Sequence, residues 1–220
     1  MKEEIRKRLA SINSEFTNEP LKYENKIFPN QGYLLVDVPS ELLRILNQEK
    51  NKIQSDFSKG DRANNGLAGH IEKEYMLSDS LKSLKDFSNI VGNKYFEVHD
   101  SKSKIDFRID NAWINFQKKG EFNPLHNHSG ILSFVIWLDI PYAIEDEEKL
   151  DLAKDSNGPC SGCFNFAYTD VHGQIRNHAL KIDKEYNGKM IIFSSKMMHS
   201  VYPFYTSDNY RVSVAGNLAK

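Results

Sequence analysis

Cysteine is nearly absent from this 220-residue chain: two residues, Cys160 and Cys163, stand together in the string GPCSGC. A zinc ribbon needs a second such pair, and a thioredoxin-like motif should open a helix after a strand. Here the pair falls between a Ser/Asn/Gly/Pro loop and the strand-like FNFAY, so the expected reading is two thiols at a loop–strand junction. An excess of one charge is missing too. Twenty-nine Lys and Arg against 30 Asp and Glu leave a formal net charge of −1, with no block of one sign long enough to act as a polyelectrolyte arm. Nucleic acid and anionic membrane surfaces are therefore not expected partners. No apolar run approaches the roughly 20 residues needed to span a bilayer, and MKEEIRKRLASINSEF lacks an apolar core of signal-peptide length. The expectation is a soluble, cytoplasmic protein. Internal repeats and low-complexity tracts are absent as well, which excludes solenoids and fibrous arrays.

What is present suffices for one sizeable core: 40% of residues are hydrophobic and 11% aromatic. We expect a single domain over residues 1–220, with helices, a first strand and a loop in 1–100 and a β-rich core in 101–220. Ile5, Leu9 and Ile12 lie at helical spacing and predict a short peripheral helix in the first eighteen residues. YLLVDV, bounded by Gly32 and Pro39, reads as a strand. Ser40 as N-cap, followed by Leu42, Leu43, Leu46 and Ile53, predicts a helix. KGDRANNGLAG is a loop or lid, and a second helix is expected from near Ser78, with Leu81, Leu84, Phe87 and Val91 on one face. After Ser101 the pattern changes. IDFRIDNAWINFQ alternates apolar and polar residues, LSFVIWLDIPY is continuously apolar, and FNFAYTDVHG, HALKID, KMIIFS and YRVSVAGN follow between turn residues. Six or more successive strands without intervening helices indicate a sandwich or closed barrel. AIEDEEKLDLAKDSNGP reads as an exposed insertion.

Three histidines carry the chemistry. His126 and His128 stand two apart in NPLHNHSGILSFVIW, and residues i and i+2 of an extended strand share a face. His199 follows late, in KMIIFSSKMMHSVYPF, at the end of another apolar strand. A close pair with a distant third ligand suits a metal held between two strands of a small barrel, with open positions left for substrate and oxygen. Arg211 and Ser213, again i and i+2, stand on the final strand, where an arginine fork and a hydroxyl make a receptor for a dicarboxylate tail. A buried Arg211 needs an anion or an internal acid beside it. Asn115 and Gln117 alternate on the strand ahead of the histidine pair, where they either reach such a ligand or a metal-bound water or serve an ordinary solvent-facing or ladder role. Trp113, Phe134, Trp137 and Phe193 read as core, and His70 and Tyr75 as weak candidates for substrate contact.

WINFQKKGEFNPLHNHSGILSFVIWLDIPY together with KMIIFSSKMMHSVYPFYTSDNYRVSVAGN resembles the Fe(II)/2-oxoglutarate-dependent oxygenase superfamily, most closely a group common in bacteriophage genomes. The resemblance spans about Asn111 to Asn217 and rests on the order of HxH, distal His and RxS. It implies a mainly β fold with flanking helices, the double-stranded β-helix or jelly roll that cupins share. It implies Fe(II) on His126, His128 and His199, 2-oxoglutarate held by Arg211, Ser213 and Asn115, and a dioxygenase, by default a hydroxylase, acting with dioxygen on a small-molecule or peptidyl substrate. A phage-encoded copy would work in host cytoplasm. His128 departs from the pattern, since the superfamily usually has an acidic residue there. A cupin-type three-histidine dioxygenase independent of 2-oxoglutarate and a non-catalytic metal-binding jelly roll are the alternatives.

Overall fold

In chain order, β1 (Tyr33–Asp37), α1 (Ser40–Ser55), β2 (Glu74–Met76) and α2 (Leu81–Val98) lead into β3 (Arg108–Gln117), β4 (Asn123–His126) and β5 (Leu132–Asp139). A short α3 (Ile144–Glu148) precedes β6 (Phe164–Thr169), β7 (Ile175–Leu180), β8 (Lys189–Ser194), β9 (Met198–Val201) and β10 (Arg211–Ala219). The computed structural model describes residues 31–99 and 104–220, with Glu3. The helix expected from Ile5, Leu9 and Ile12 lies outside the described residues. Every strand pairing is antiparallel. Six strands run in the order β1-β8-β5-β10-β3-β2, and four in the order β4-β9-β6-β7, forming the jelly roll. No helix among the described residues is long and apolar enough to cross a membrane.

The continuous apolar run of β5 follows from burial on both faces. Leu132, Phe134, Ile136 and Leu138 join the cluster that α1 and α2 complete through Leu42, Leu46, Leu84 and Val91. Trp137 turns the other way, between the sheets, with Phe164, Phe166, Ile191 and Phe193. Each such fully buried side chain stabilises the fold by about 1.5–3 kcal/mol. The same alternation on β3 and β10 sends Ile114, Phe116, Val212 and Val214 toward the helices. That leaves Asn115, Gln117, Arg211 and Ser213 facing inward, in a cavity between the sheets. Gly216 on β10 is a tight point: a Cβ there would meet Phe134 Cζ at 2.6 Å and the Asn111 carbonyl at 2.8 Å. Because the carbonyl belongs to the paired strand and cannot swing away, Gly216→Ala is expected to cost at least about 1–3 kcal/mol, read as a lower urea midpoint.

Three expectations need correction. Ser40 is the first residue of α1 and not its cap; Pro39 takes the boundary position, and its carbonyl accepts the Leu43 N–H at 3.0 Å. α2 starts at Leu81, later than Ser78, because a residue of α1 caps it. The buried Glu49 carboxylate accepts from the backbone N–H of Ser78, Asp79 and Ser80, at 2.7, 3.1 and 2.9 Å. A carboxylate at a helix N-terminus satisfies unpaired donors and opposes the positive end of the dipole. The segment after β5 is not wholly exposed either. Glu147 is fully buried and binds the N–H groups of Tyr205 and Thr206 at 2.8–3.0 Å, pinning the loop that leads into β10.

Candidate metal centre

β4 and β9 pair His126 directly opposite His199. Opposed residues of antiparallel strands share a face, and these two ring centroids stand 4.3 Å apart. His128 does not share a strand with His126 as expected. β4 ends at His126, and His128 lies in the connection to β5, where its N–H donates to Ser195 O at 2.9 Å. That tie to the β8–β9 turn brings its ring back to 4.8 Å from His126 and 5.0 Å from His199. One potential ligand atom from each of the three lies within 4.8 Å of the others.

Tautomers follow from the hydrogen bonds. His126 Nδ1 contacts Pro124 O at 2.7 Å and His199 Nδ1 contacts Met197 O at 3.0 Å. A carbonyl only accepts, so both Nδ1 atoms carry the proton and both Nε2 lone pairs are free. Burial keeps the rings neutral. His199, 3% exposed and packed between Phe164 and Phe193, has its pKa pushed down to about 3 by desolvation and then by His126. Desolvation first and His126 second bring His128 down to about 4, and desolvation lowers His126 as well. Neutral imidazoles are what a divalent transition metal needs. Three donors at about 2.1 Å from one ion stand about 3–3.6 Å apart, so the triad fits an ion after its rings close by roughly an ångström or somewhat more.

These shifts set a pH dependence. Below the ordinary imidazole value of 6.5, the unfolded chain takes up protons that the folded rings refuse, so stability falls with pH toward their folded values near 3 and 4. Glu74 acts oppositely: burial, then Glu121, raises its carboxyl to about 7, so the folded state holds that proton first. Three rings outweigh one carboxyl. Metal-free protein is expected to melt at progressively lower temperature from pH 7 to pH 5, and Glu74→Gln to show the steeper decline; a flat wild-type profile would contradict the neutral buried triad.

Arg211 lines the same cavity and is 2% exposed, yet among the described residues no carboxylate pairs with it. Its donors go to neutral oxygens. Nε and Nη2 contact Gln117 Oε1 at 3.1 and 2.7 Å, Nη1 reaches Tyr142 Oη at 2.6 Å and Gly162 O at 2.8 Å, and Nη2 also reaches Tyr202 O at 2.9 Å. The positive charge is thus hydrogen-bonded but uncompensated, which suits an anion nearby. Ser213 stands two residues on, opposite Asn115, whose Nδ2 donates to Ser213 Oγ at 3.3 Å. Asn115 Oδ1 is buried with no partner among the described residues, a polar atom left to a ligand. His126, His128, His199, Asn115, Arg211 and Ser213 therefore line one cavity.

Other candidates divide. Trp113, Phe134, Trp137 and Phe193 are buried, but each also walls this cavity. Tyr75 is packed in the core against Phe57 and Phe116, away from it. His70 stays exposed, its ring tilted against Phe122, while its neighbour Ile71 reaches the cavity. Sequence reasoning missed Tyr142, Gly162 and Tyr202 as partners of Arg211. Two of these act through main-chain carbonyls, which leave no trace in residue identity. Gly162 belongs to the cysteine pair's turn, with φ +74° and a Cys163 N–H to Cys160 O bond of 3.0 Å. Both thiols are free, and Cys163 is buried at the start of β6.

Residues 111–217 match a family model described as "Putative 2OG-Fe(II) oxygenase". No curated protein matches the sequence. Among solved structures, a Pseudomonas putida prolyl-4-hydroxylase aligns at TM-score 0.55 and 14% identity, covering 86% of this chain and 94% of that one. The non-heme alpha-ketoglutarate-dependent epimerase SnoN from nogalamycin biosynthesis aligns at 0.55 and 11%, covering 86% and 77%. AviO1 from Streptomyces viridochromogenes aligns at 0.52 and 11%, covering 88% and 91%. At these identities the likeness is one of fold. The matched stretch contains the whole inward-facing set from Asn115 to Ser213, and over it the chain matches the 2OG-Fe(II) oxygenase family, whose cofactors are Fe(II) and 2-oxoglutarate.

Proposed function

We propose that the protein is an Fe(II)- and 2-oxoglutarate-dependent dioxygenase that hydroxylates a small-molecule or peptidyl substrate. His126, His128 and His199 would hold the iron, and Arg211, Ser213 and Asn115 the 2-oxoglutarate tail. The observation that carries this reading is one cavity lined by both a neutral histidine triad and a buried guanidinium without a carboxylate partner. When bound, iron, 2-oxoglutarate and dioxygen supply the oxidising power, with 2-oxoglutarate leaving as succinate and carbon dioxide. The chain's own groups position and insulate. Nδ1–H bonds to Pro124 and Met197 fix two imidazoles with Nε2 forward, the Phe164 and Phe193 rings keep water from His199, and Arg211 orients a carboxylate. Likeness in fold to a prolyl-4-hydroxylase makes peptidyl substrates the first class to try.

A second reading, a three-histidine dioxygenase that needs no 2-oxoglutarate, draws on a specific observation: neutral protein oxygens already meet every side of Arg211. Anaerobic titration with Fe(II) and 2-oxoglutarate separates the two. The proposed function expects a visible charge-transfer band from the chelate, lost in His199→Ala. Metal uptake with no band at any 2-oxoglutarate concentration would favour the second reading.

A further inference from the structure

The edge of Arg211 that faces the cavity is already taken. Nε and Nη2 converge on the one oxygen Gln117 Oε1, at 3.1 and 2.7 Å, and so occupy the fork with which a guanidinium grips the two oxygens of a carboxylate. Gln117 and Arg211 are directly opposite in the β3–β10 register, so strand pairing itself sets up the contact. From behind, Gln117 Nε2 donates to Glu121 O at 2.5 Å, which orients the amide oxygen toward the arginine. A guanidinium has five N–H donors, and here all five are spent on neutral oxygens.

The cavity itself measures about 40 Å³, well below the roughly 300 Å³ at which ligand pockets begin. A diacid cannot simply be added to this arrangement; an acceptor has to leave. Gly162 O and Tyr202 O are main-chain atoms, and Tyr142 is buried, with its ring stacked on Phe204 at 4.9 Å and its hydroxyl on Gly162 O. Of the four acceptor groups, Gln117 alone both lines the cavity and sits on a flexible side chain.

We propose that Gln117 is a neutral plug on the carboxylate seat: its amide oxygen holds the Arg211 fork in the free protein, and 2-oxoglutarate binds by displacing it. This rests on the reading of Arg211 given above. The exchange is favourable because a carboxylate meets the guanidinium with two oxygens and an opposite charge, where the amide offers one neutral oxygen. It also spares the protein a bare buried guanidinium between turnovers. The plug has a thermodynamic signature. A contact made only in the free state lowers apparent affinity for the ligand, so weakening that contact tightens binding and strengthening it loosens binding.

The test is calorimetric titration of 2-oxoglutarate into Mn(II)-loaded full-length protein, as wild type, Gln117→Ala and Gln117→Glu. Alanine is expected to tighten binding about tenfold, the worth of one hydrogen bond lost from the free state alone. Glutamate places a permanent carboxylate on the fork and is expected to weaken binding at least about a hundredfold. Mn(II) affinity, titrated separately, should stay within about threefold in both variants, since neither touches the histidines. A merely structural role would weaken binding in both variants. Binding that is unchanged or weaker in Gln117→Ala, or wild-type-like in Gln117→Glu, overturns the plug while the seat stands. If neither the wild type nor Gln117→Ala binds 2-oxoglutarate, the reading of Arg211 as the seat fails, and the plug with it.

Discussion

His199→Ala is expected to remove most of the rise in melting temperature that Fe(II), Mn(II) or Zn(II) gives the wild type. At a free metal concentration a thousandfold above Kd, binding stabilises the folded state by about 4 kcal/mol, and a site weakened a hundredfold or more keeps at most about 1.4 kcal/mol of that. Of the three proposed ligands, His199 is the one its neighbours hold most firmly. It is 3% exposed, its Nδ1–H is bound to Met197 O, and Phe164 and Phe193 fix its ring plane. Removing even a supporting partner of a metal ligand costs about 10–100-fold in affinity, so a lost ligand should cost at least the upper figure. The metal-free variant will also be less stable than the wild type, since alanine leaves a void among three phenylalanines. The diagnostic quantity is therefore the metal-induced shift, compared with His70→Ala, which stands outside the cavity and should retain the full increment. A His199→Ala protein with an undiminished shift would remove the triad from consideration.

Much of this site was legible in the sequence, and the legible parts share a cause. Strand alternation is a two-residue period, so Arg211 with Ser213 and Asn115 with Gln117 announce a common face once the strands are recognised. The apolar run LSFVIWLD announces a strand buried on both sides. What remained hidden depends on contacts between distant segments. β4 is four residues long and contains a proline, too short to show a period, so His128 seemed to share its strand with His126. Glu147 falls in the stretch that reads as an exposed insertion, and Glu49 is a charge in a helix whose apolar series does not include it. Each is buried because it takes backbone N–H groups 29 to 59 residues away, and no local pattern records such a partner. Arg211 is the sharpest instance: residue type and spacing suggest an anion seat, but the neutral shell of Gln117, Tyr142, Gly162 and Tyr202 emerges only when β3, β10 and two loops meet.

That shell decides what changing Arg211 will do. Arg211→Leu should lose 2-oxoglutarate binding and also a large part of the protein's stability, because it strips donors from oxygens packed around a residue only 2% exposed. Gln117 Oε1, Gly162 O and Tyr202 O would each lose a donor, and Tyr142 Oη a partner. Gly162 O and Tyr142 Oη keep each other as partners, but at about 1–3 kcal/mol for each of Gln117 Oε1 and Tyr202 O the loss is a large share of the about 5–15 kcal/mol that holds a domain together. Loss of cofactor binding in that variant would then report unfolding as readily as chemistry. Arg211→Lys separates the two. It keeps the charge but replaces a planar five-donor fork with three donors on a single nitrogen, which cannot grip a carboxylate at two points while also bracing both carbonyls. The lysine protein is expected to fold, with a lower melting temperature, to bind Mn(II) as the wild type does, and to bind 2-oxoglutarate at least about tenfold more weakly. Equal 2-oxoglutarate affinity in the lysine and wild-type proteins would mean that the fork geometry is irrelevant and that the diacid, if it binds, is held elsewhere.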